Sequence, residues 1–252
     1  MEFEHYLKET RLLDYSHPTI TRLVSDKQWG GLDEFSKIEA VYNFVMDRIV
    51  FGFNESDDIP ASSVLRDGYG QCNTKSTLLM ALFRKVGIPC RIHGFGIDKS
   101  VQRGVMPGFV YRLSPIELLH TWTEVLYNGT WVNLEGCILD RGYLSNLQNR
   151  FSGARGSFCG YAVAAADLQN PAVEWNGKDT YIQKDAIVSD HGEFDSPDEL
   201  YDRFGVNVSG IKAFLFKHVV RKWMNQRVAK LRAGRYGQAR QVGPHPAPGI
   251  HA

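Results

Sequence analysis

Cys72, His120 and Glu135 are the residues of this 252-residue chain whose types and surroundings suit nucleophilic chemistry. Cys72 lies in DGYGQCNTKSTLLMALFRKVGIPCR, after a glycine-rich turn and before apolar residues at helical spacing, Leu78, Leu79, Leu82, Phe83 and Val86. The pattern predicts a helix that opens beside Cys72 and is stopped by Gly87 and Pro89. A thiol there meets the positive end of the helix dipole, which favours thiolate. A working nucleophile also needs a base within hydrogen-bond reach and a third group to orient the base. On the strand predicted for LLHTWTEV, His120, Trp122 and Glu124 share one face. The chain then turns back through GTWVNLEG, which brings Glu135 alongside His120. Taken singly, each residue has an ordinary explanation: a packed thiol, a hydrogen-bonded core histidine, a solvated strand-end carboxylate. Their order of helix, strand and strand is what points to acyl transfer. Gln71, just before the thiol, is either an amide donor for an oxyanion or a plain turn residue, and Trp122 is a candidate substrate contact.

The elements that must position these residues are legible in the same pattern. DEFSKIEAVYNFVMDRIVF repeats apolar residues every three or four positions behind a capping Asp33, which predicts a helix. GFNESDDIPASSVLRDGYG, polar and broken by Gly and Pro, reads as a loop. IPCRIHGFGI, TWTEVLY and GTWVNLE alternate as strands, the last two joined by the hairpin signal Asn128-Gly129. Residues 141–195 read as loops and short strands, DSPDELYDRF as a short helix, and Gly210 to Arg232 as a long one.

These residues carry a resemblance. GYGQC followed by LLMALFRKVGIPCR, then HTWTEV and GTWVNLE, resembles the transglutaminase-like superfamily of papain-type cysteine enzymes over roughly residues 33–140. The resemblance implies an α+β fold with a papain-like core, the nucleophile at the N-terminus of a central helix packed on an antiparallel sheet, and helical additions at both ends. It also implies Cys72 as nucleophile, His120 as base, and Glu135 in the third position, where the family usually has Asp. Asp140 is the fallback carboxylate and ranks below Glu135 because it lies beyond the strand end. The segment containing NPAVEWNGKDTYIQ is similar to that of a bacterial subgroup of the family. Organisation is read as one domain: a catalytic core over 33–140, an extension over 141–206, a basic helix over 207–235 and a flexible tail over 236–252.

Composition fits this reading. Hydrophobic content of 43% and charged content of 23% suit a packed globular domain. No apolar run reaches the length of a membrane span and no leader precedes the charged N-terminus, so a cytoplasmic location is expected. Cys72, Cys90, Cys137 and Cys159 are too dispersed for a CxxC site, and the eight histidines form no HExxH, so neither metal nor other cofactor is expected. The implied partners are an acyl donor (a peptide, an amide or a carrier-protein thioester) and an amine or water acceptor. All 28 acidic residues fall in the first 202, giving −9 there and +10 in the last fifty. That split leaves open an anionic-partner binder using the basic helix, and the Glu at the third position leaves open a catalytically silent interaction module that keeps the fold. Ile211, Phe214, Leu215 and Val219 are expected to dock that helix on the acidic body, leaving Arg227, Lys230 and Arg232 as a rim; core packing of its aromatics is favoured over nucleic-acid stacking.

Overall fold

The computed structural model describes residues 3–235; the tail expected over 236–252 lies outside the described residues. In chain order come α1 (Pro18–Asp26), α2 (Glu34–Arg48), β1 (Val50–Phe51), α3 (Ala61–Asp67), β2 (Tyr69–Gly70) and α4 (Cys72–Lys85). Then follow β3 (Cys90–Asp98), α5 (Gly108–Leu113), β4 (Glu117–Tyr127), β5 (Thr130–Leu134), α6 (Arg141–Arg150), β6 (Phe158–Gly160) and β7 (Val163–Ala165). The chain continues through β8 (Ile187–Phe194), α7 (Pro197–Phe204), α8 (Gly210–Leu215) and α9 (Arg221–Arg232). The architecture is α+β: α4 packs on an antiparallel sheet of order β5-β4-β3-β8.

Helix α4 starts at Cys72 because the preceding turn permits it. A side chain at Gly70 would stand 2.8 Å from Thr74 Oγ1 and 2.9 Å from Lys75 Cγ, so only glycine lets the chain approach its own first turn this closely. The helix ends as its sequence predicts, with Gly87 at φ +81° and the Ile88 N–H bonded to Phe83 O at 2.9 Å. Its periodicity announces one apolar face, yet every residue from Cys72 to Arg84 is buried. The polar ones are affordable inside because they are hydrogen-bonded. Thr123 Oγ1 donates to Ser76 O, Thr77 Oγ1 to Asn73 O, and Lys75 Nζ to the carbonyls of Met46 and Ile138 at 3.3 and 3.2 Å.

The expected elements occur with three differences. α3 lies inside the segment read as loop, and α6 inside the segment read as loops and short strands. β8, from the same irregular stretch, is the edge strand that completes the sheet beside β3. Asn128 and Gly129 adopt φ +50° and +75°, the left-handed pair that a tight β4–β5 hairpin demands.

The C-terminal helix buries a different face from the one expected. Ile211, Phe214 and Leu215 are exposed, whereas Val220, Met224, Val228 and Leu231 are buried. A π-helical turn over Phe216–Val220 separates α8 from α9. One residue inserted in the i→i−4 ladder rotates everything after it, so a single stripe cannot run through both halves. Arg232 is likewise no rim charge. Its guanidinium donates to both oxygens of Asp140 (Nε at 3.0 and 3.1 Å, Nη2 at 2.6 Å) and to Phe51 O at 2.7 Å. Replacing Arg232 with Ala leaves a nearly buried carboxylate without its counter-ion. It should destabilise the protein by about 2–3 kcal/mol in urea unfolding. Exposed Lys230→Glu should stay within ~0.5 kcal/mol.

Candidate active site

Cys72 is the first residue of α4, so its backbone N–H is among the first-turn donors that a helix leaves without intrahelical acceptors. The thiol is 9% exposed, and its sulfur lies 3.5 Å from Asn73 Oδ1. Asn73 joins the helix start to β4 on either side of His120: its Nδ2 donates to Leu119 O at 3.2 Å, and its Oδ1 accepts from Thr121 Oγ1 at 3.2 Å. Asn207 grips the same point from the C-terminal side, accepting the Leu119 N–H at 2.8 Å and donating to Leu119 O at 2.9 Å.

His120 and Glu135 are fully buried and bonded to each other, His120 Nε2 to Glu135 Oε1 at 2.7 Å. That bond leaves Nδ1 for the Cys72 side; this nitrogen is buried with no hydrogen-bond partner of good geometry among the described residues. Burial disfavours a charged ring, but the charge of the nearby Cys72 sulfur and then Glu135 outweigh it, pushing His120 up to about 10. The second Glu135 oxygen accepts the backbone N–H groups of Ile182 and Gln183 at 2.8 and 3.0 Å. Glu135 is anchored by its own backbone as well, its N–H donating to Thr180 O at 3.0 Å. The backbone of residues 182 and 183, far along the chain, thus meets the longer side chain of this glutamate.

The other sequence candidates have partners of their own. Asp140 caps α6 through the Tyr143 N–H, accepts the Phe51 N–H and is bound by Arg232, which together hold its carboxyl below the usual range against the cost of burial. Gln71 lines the cavity that opens on Cys72; its amide nitrogen donates to Asp57 at 2.8 Å and its oxygen accepts from the Asn54 N–H at 3.1 Å, which leaves one amide N–H without an acceptor among the described residues. Trp122 packs among Phe95, His93, Tyr181 and, edge-on, His120. The cavity that opens on Cys72 is not among its contacts. Cys90 and Cys137 are buried thiols pushed up by burial, Cys137 to about 11, and Cys159 lies 3.1 Å from Ser100 Oγ. All four are free.

One group of ligand types does converge: His93, Glu124 and Glu193 place ligand atoms within 4.8 Å of one another. A cation is already there. Arg91 donates to Glu124 at 2.6 Å and to Glu193 at 3.2 Å, and His93 Nδ1 is 2.7 Å from Glu124.

Residues 22–136 match the family model of the transglutaminase-like superfamily, and Cys72, His120 and Glu135 all lie inside that segment. This segment is a transglutaminase-like core. Among solved structures, the chain is similar to a candidate cysteine protease from Cytophaga hutchinsonii (12% identity, TM-score 0.45), covering 79% of this chain and 48% of that one. It is also similar to red sea bream transglutaminase (16% identity, TM-score 0.29), covering 53% and 25%. The chain thus spans about half the length of the first and a quarter of the second. No curated protein matches it.

Asn73, Asn207, Lys75 and the Ile182–Gln183 backbone were invisible to the sequence reading. Asn73 alone carried a signal, as the neighbour of the candidate thiol. The raised value of His120 has a testable consequence. The unfolded ring titrates near 6.5, so its folded-state charge contributes fully to stability below that value, and the contribution is lost as pH rises towards about 10. In a chemical-shift titration the His120 ring should remain protonated at pH 8, and Glu135→Gln should move its titration downward.

Proposed function

We propose that the protein transfers acyl groups through a covalent thioester on Cys72, with His120 as acid and base and Glu135 as the group that orients it. The observation that carries this reading is a buried imidazole that feels the charge of the helix-start sulfur and is bonded to a carboxylate fixed by two backbone N–H groups. A merely structural histidine does not require a carboxylate so immobilised next to a thiol.

The steps follow from the geometry. Cys72 Sγ attacks the carbonyl carbon of an amide or thioester donor, and the carbonyl electron pair moves onto oxygen, where the Cys72 backbone N–H at the helix start receives it. Collapse breaks the bond to nitrogen or sulfur, and the imidazolium gives its proton to the leaving amine or thiol. Water or an amine then attacks the thioester while neutral His120 takes its proton. The carbon–sulfur bond breaks, and thiolate and imidazolium are restored. Water makes the protein a peptidase or amidase; an amine makes it a transglutaminase or amide-forming enzyme. The four free thiols suit a reducing, cytoplasmic compartment.

Intact-mass spectrometry after exposure to amides and thioesters, with and without an amine, tests this. The expected result is an acyl adduct on Cys72, turned over by one acceptor and absent from Cys72→Ala, while Cys137→Ala and Cys159→Ala remain active. A wild-type protein that forms no adduct and leaves Cys72 inert to thiol reagents would be the silent interaction module. Glu135→Gln should slow turnover by roughly 100-fold to 10,000-fold, and Glu135→Asp by less. Retained activity in Glu135→Gln would remove the carboxylate from the mechanism.

A further inference from the structure

We infer that the acyl group carried by Cys72 is a linear apolar chain, and that it lies in the cavity between the nucleophile and the helices α5, α8 and α9. The inference rests on the acyl-transfer reading above and names its donor class. The cavity has a volume of about 490 Å³ and includes Cys72 in its wall, within the ~300–1,000 Å³ range of small-molecule sites. Met106, Val110, Leu118 and Phe216 are among the side chains that line it away from the sulfur.

Where the wall reaches solvent it presents apolar side chains beside the exposed Ser209 and Lys212. Phe109, Leu113 and Leu215 line the same cavity and are 49%, 78% and 54% exposed. Soluble proteins do not leave such residues clustered at a cavity entrance without a use for them. Of the exposed apolar residues of α8, Leu215 belongs to this wall.

The polar groups in the wall argue against a peptide as the occupant. Gln71 and Asn207 both donate to Asp57, and Glu55 is held by Lys217 at 2.7 Å. Of the wall's buried side-chain polar atoms among the described residues, Gln102 Oε1 is the one without a hydrogen-bond partner. A peptide backbone brings a donor and an acceptor per residue and needs a row of free partners; an alkyl chain needs none. In the reaction, the thiolate displaces the carrier thiol of an acyl thioester. The carbonyl–sulfur bond to the carrier breaks, the new one forms to Cys72, and the carrier leaves with the His120 proton.

The test uses the full chain and acyl thioesters of N-acetylcysteamine from acetyl to dodecanoyl, reading both the rate of Cys72 acylation and the intact mass. Acylation kcat/KM should rise with chain length, by up to about fourfold per methylene while the chain fills the cavity, then level off. Val110→Trp should lower the octanoyl-to-acetyl ratio at least tenfold. The wild-type series decides the matter even if that variant does not fold. A rate that is flat or falls with length, with Cys72 still acylated by the acetyl donor, overturns the chain site and leaves the acyl-transfer reading standing. Absence of any adduct from the whole series overturns the acyl-chain site, and absence from the amide donors as well overturns the acyl-transfer reading.

Discussion

The structure turns on a carboxylate with no access to water. Glu135 is completely buried, and an isolated charge in that position costs far more than a domain's net stability can absorb. It is tolerable because both oxygens are occupied, one by His120 and the other by two backbone N–H groups from Ile182 and Gln183. Such charge-assisted hydrogen bonds are the strong kind. The consequence reaches beyond the site: the chain past residue 141 must come back to the end of β5 for the core to form at all. Thr180 bonds to the Asn133 carbonyl and the Glu135 N–H on either side of that point, which ties the two segments together.

A second set of buried polar groups fixes where the thiol stands relative to the imidazole. Asn73 and Asn207 meet at Leu119, one residue before His120, so that the first turn of α4, strand β4 and the stretch before α8 share one hydrogen-bonded point. One turn further along α4, Lys75 reaches the carbonyls of Met46 and Ile138, and burial pushes it down to about 8. The lysine therefore joins the central helix to α2 and to the turn just after Glu135. Cys72, His120 and Glu135 are thus set among groups held by distant parts of the chain, the kind of support a preorganised site requires.

The C-terminal helices combine two tasks. α9 is structural: Met224, Val228 and Leu231 enter the core, and Asn225 pairs with both the N–H and the carbonyl of Phe53. α8 contributes no buried residue to the core and supplies Lys212 and Leu215 to the wall of the cavity at Cys72. The charge asymmetry seen in the sequence is partly spent internally, through Arg232 with Asp140 and Lys217 with Glu55.

Local signals were enough for the parts of the site that are local. The turn before Cys72, the helix after it, the stop at Gly87, the Asn128-Gly129 hairpin and the alternation around His120 are all properties of a few adjacent residues, and the sequence determined them together with the α+β class. Tertiary structure decided what depends on partners far away along the chain. α6 and β8 have weak patterns of their own and exist because Asp140 caps one and β3 pairs with the other. Asp140 and Glu135 are both carboxylates near one strand end; the strand boundary ranks them, but only distant partners fix what each one binds. Arg232, 92 residues beyond Asp140, takes that one, and the backbone at residues 182 and 183 takes the other. The face of the last helix was likewise undecidable from spacing, because one π-helical turn rotates it and only the shape of the surface it packs on selects that turn.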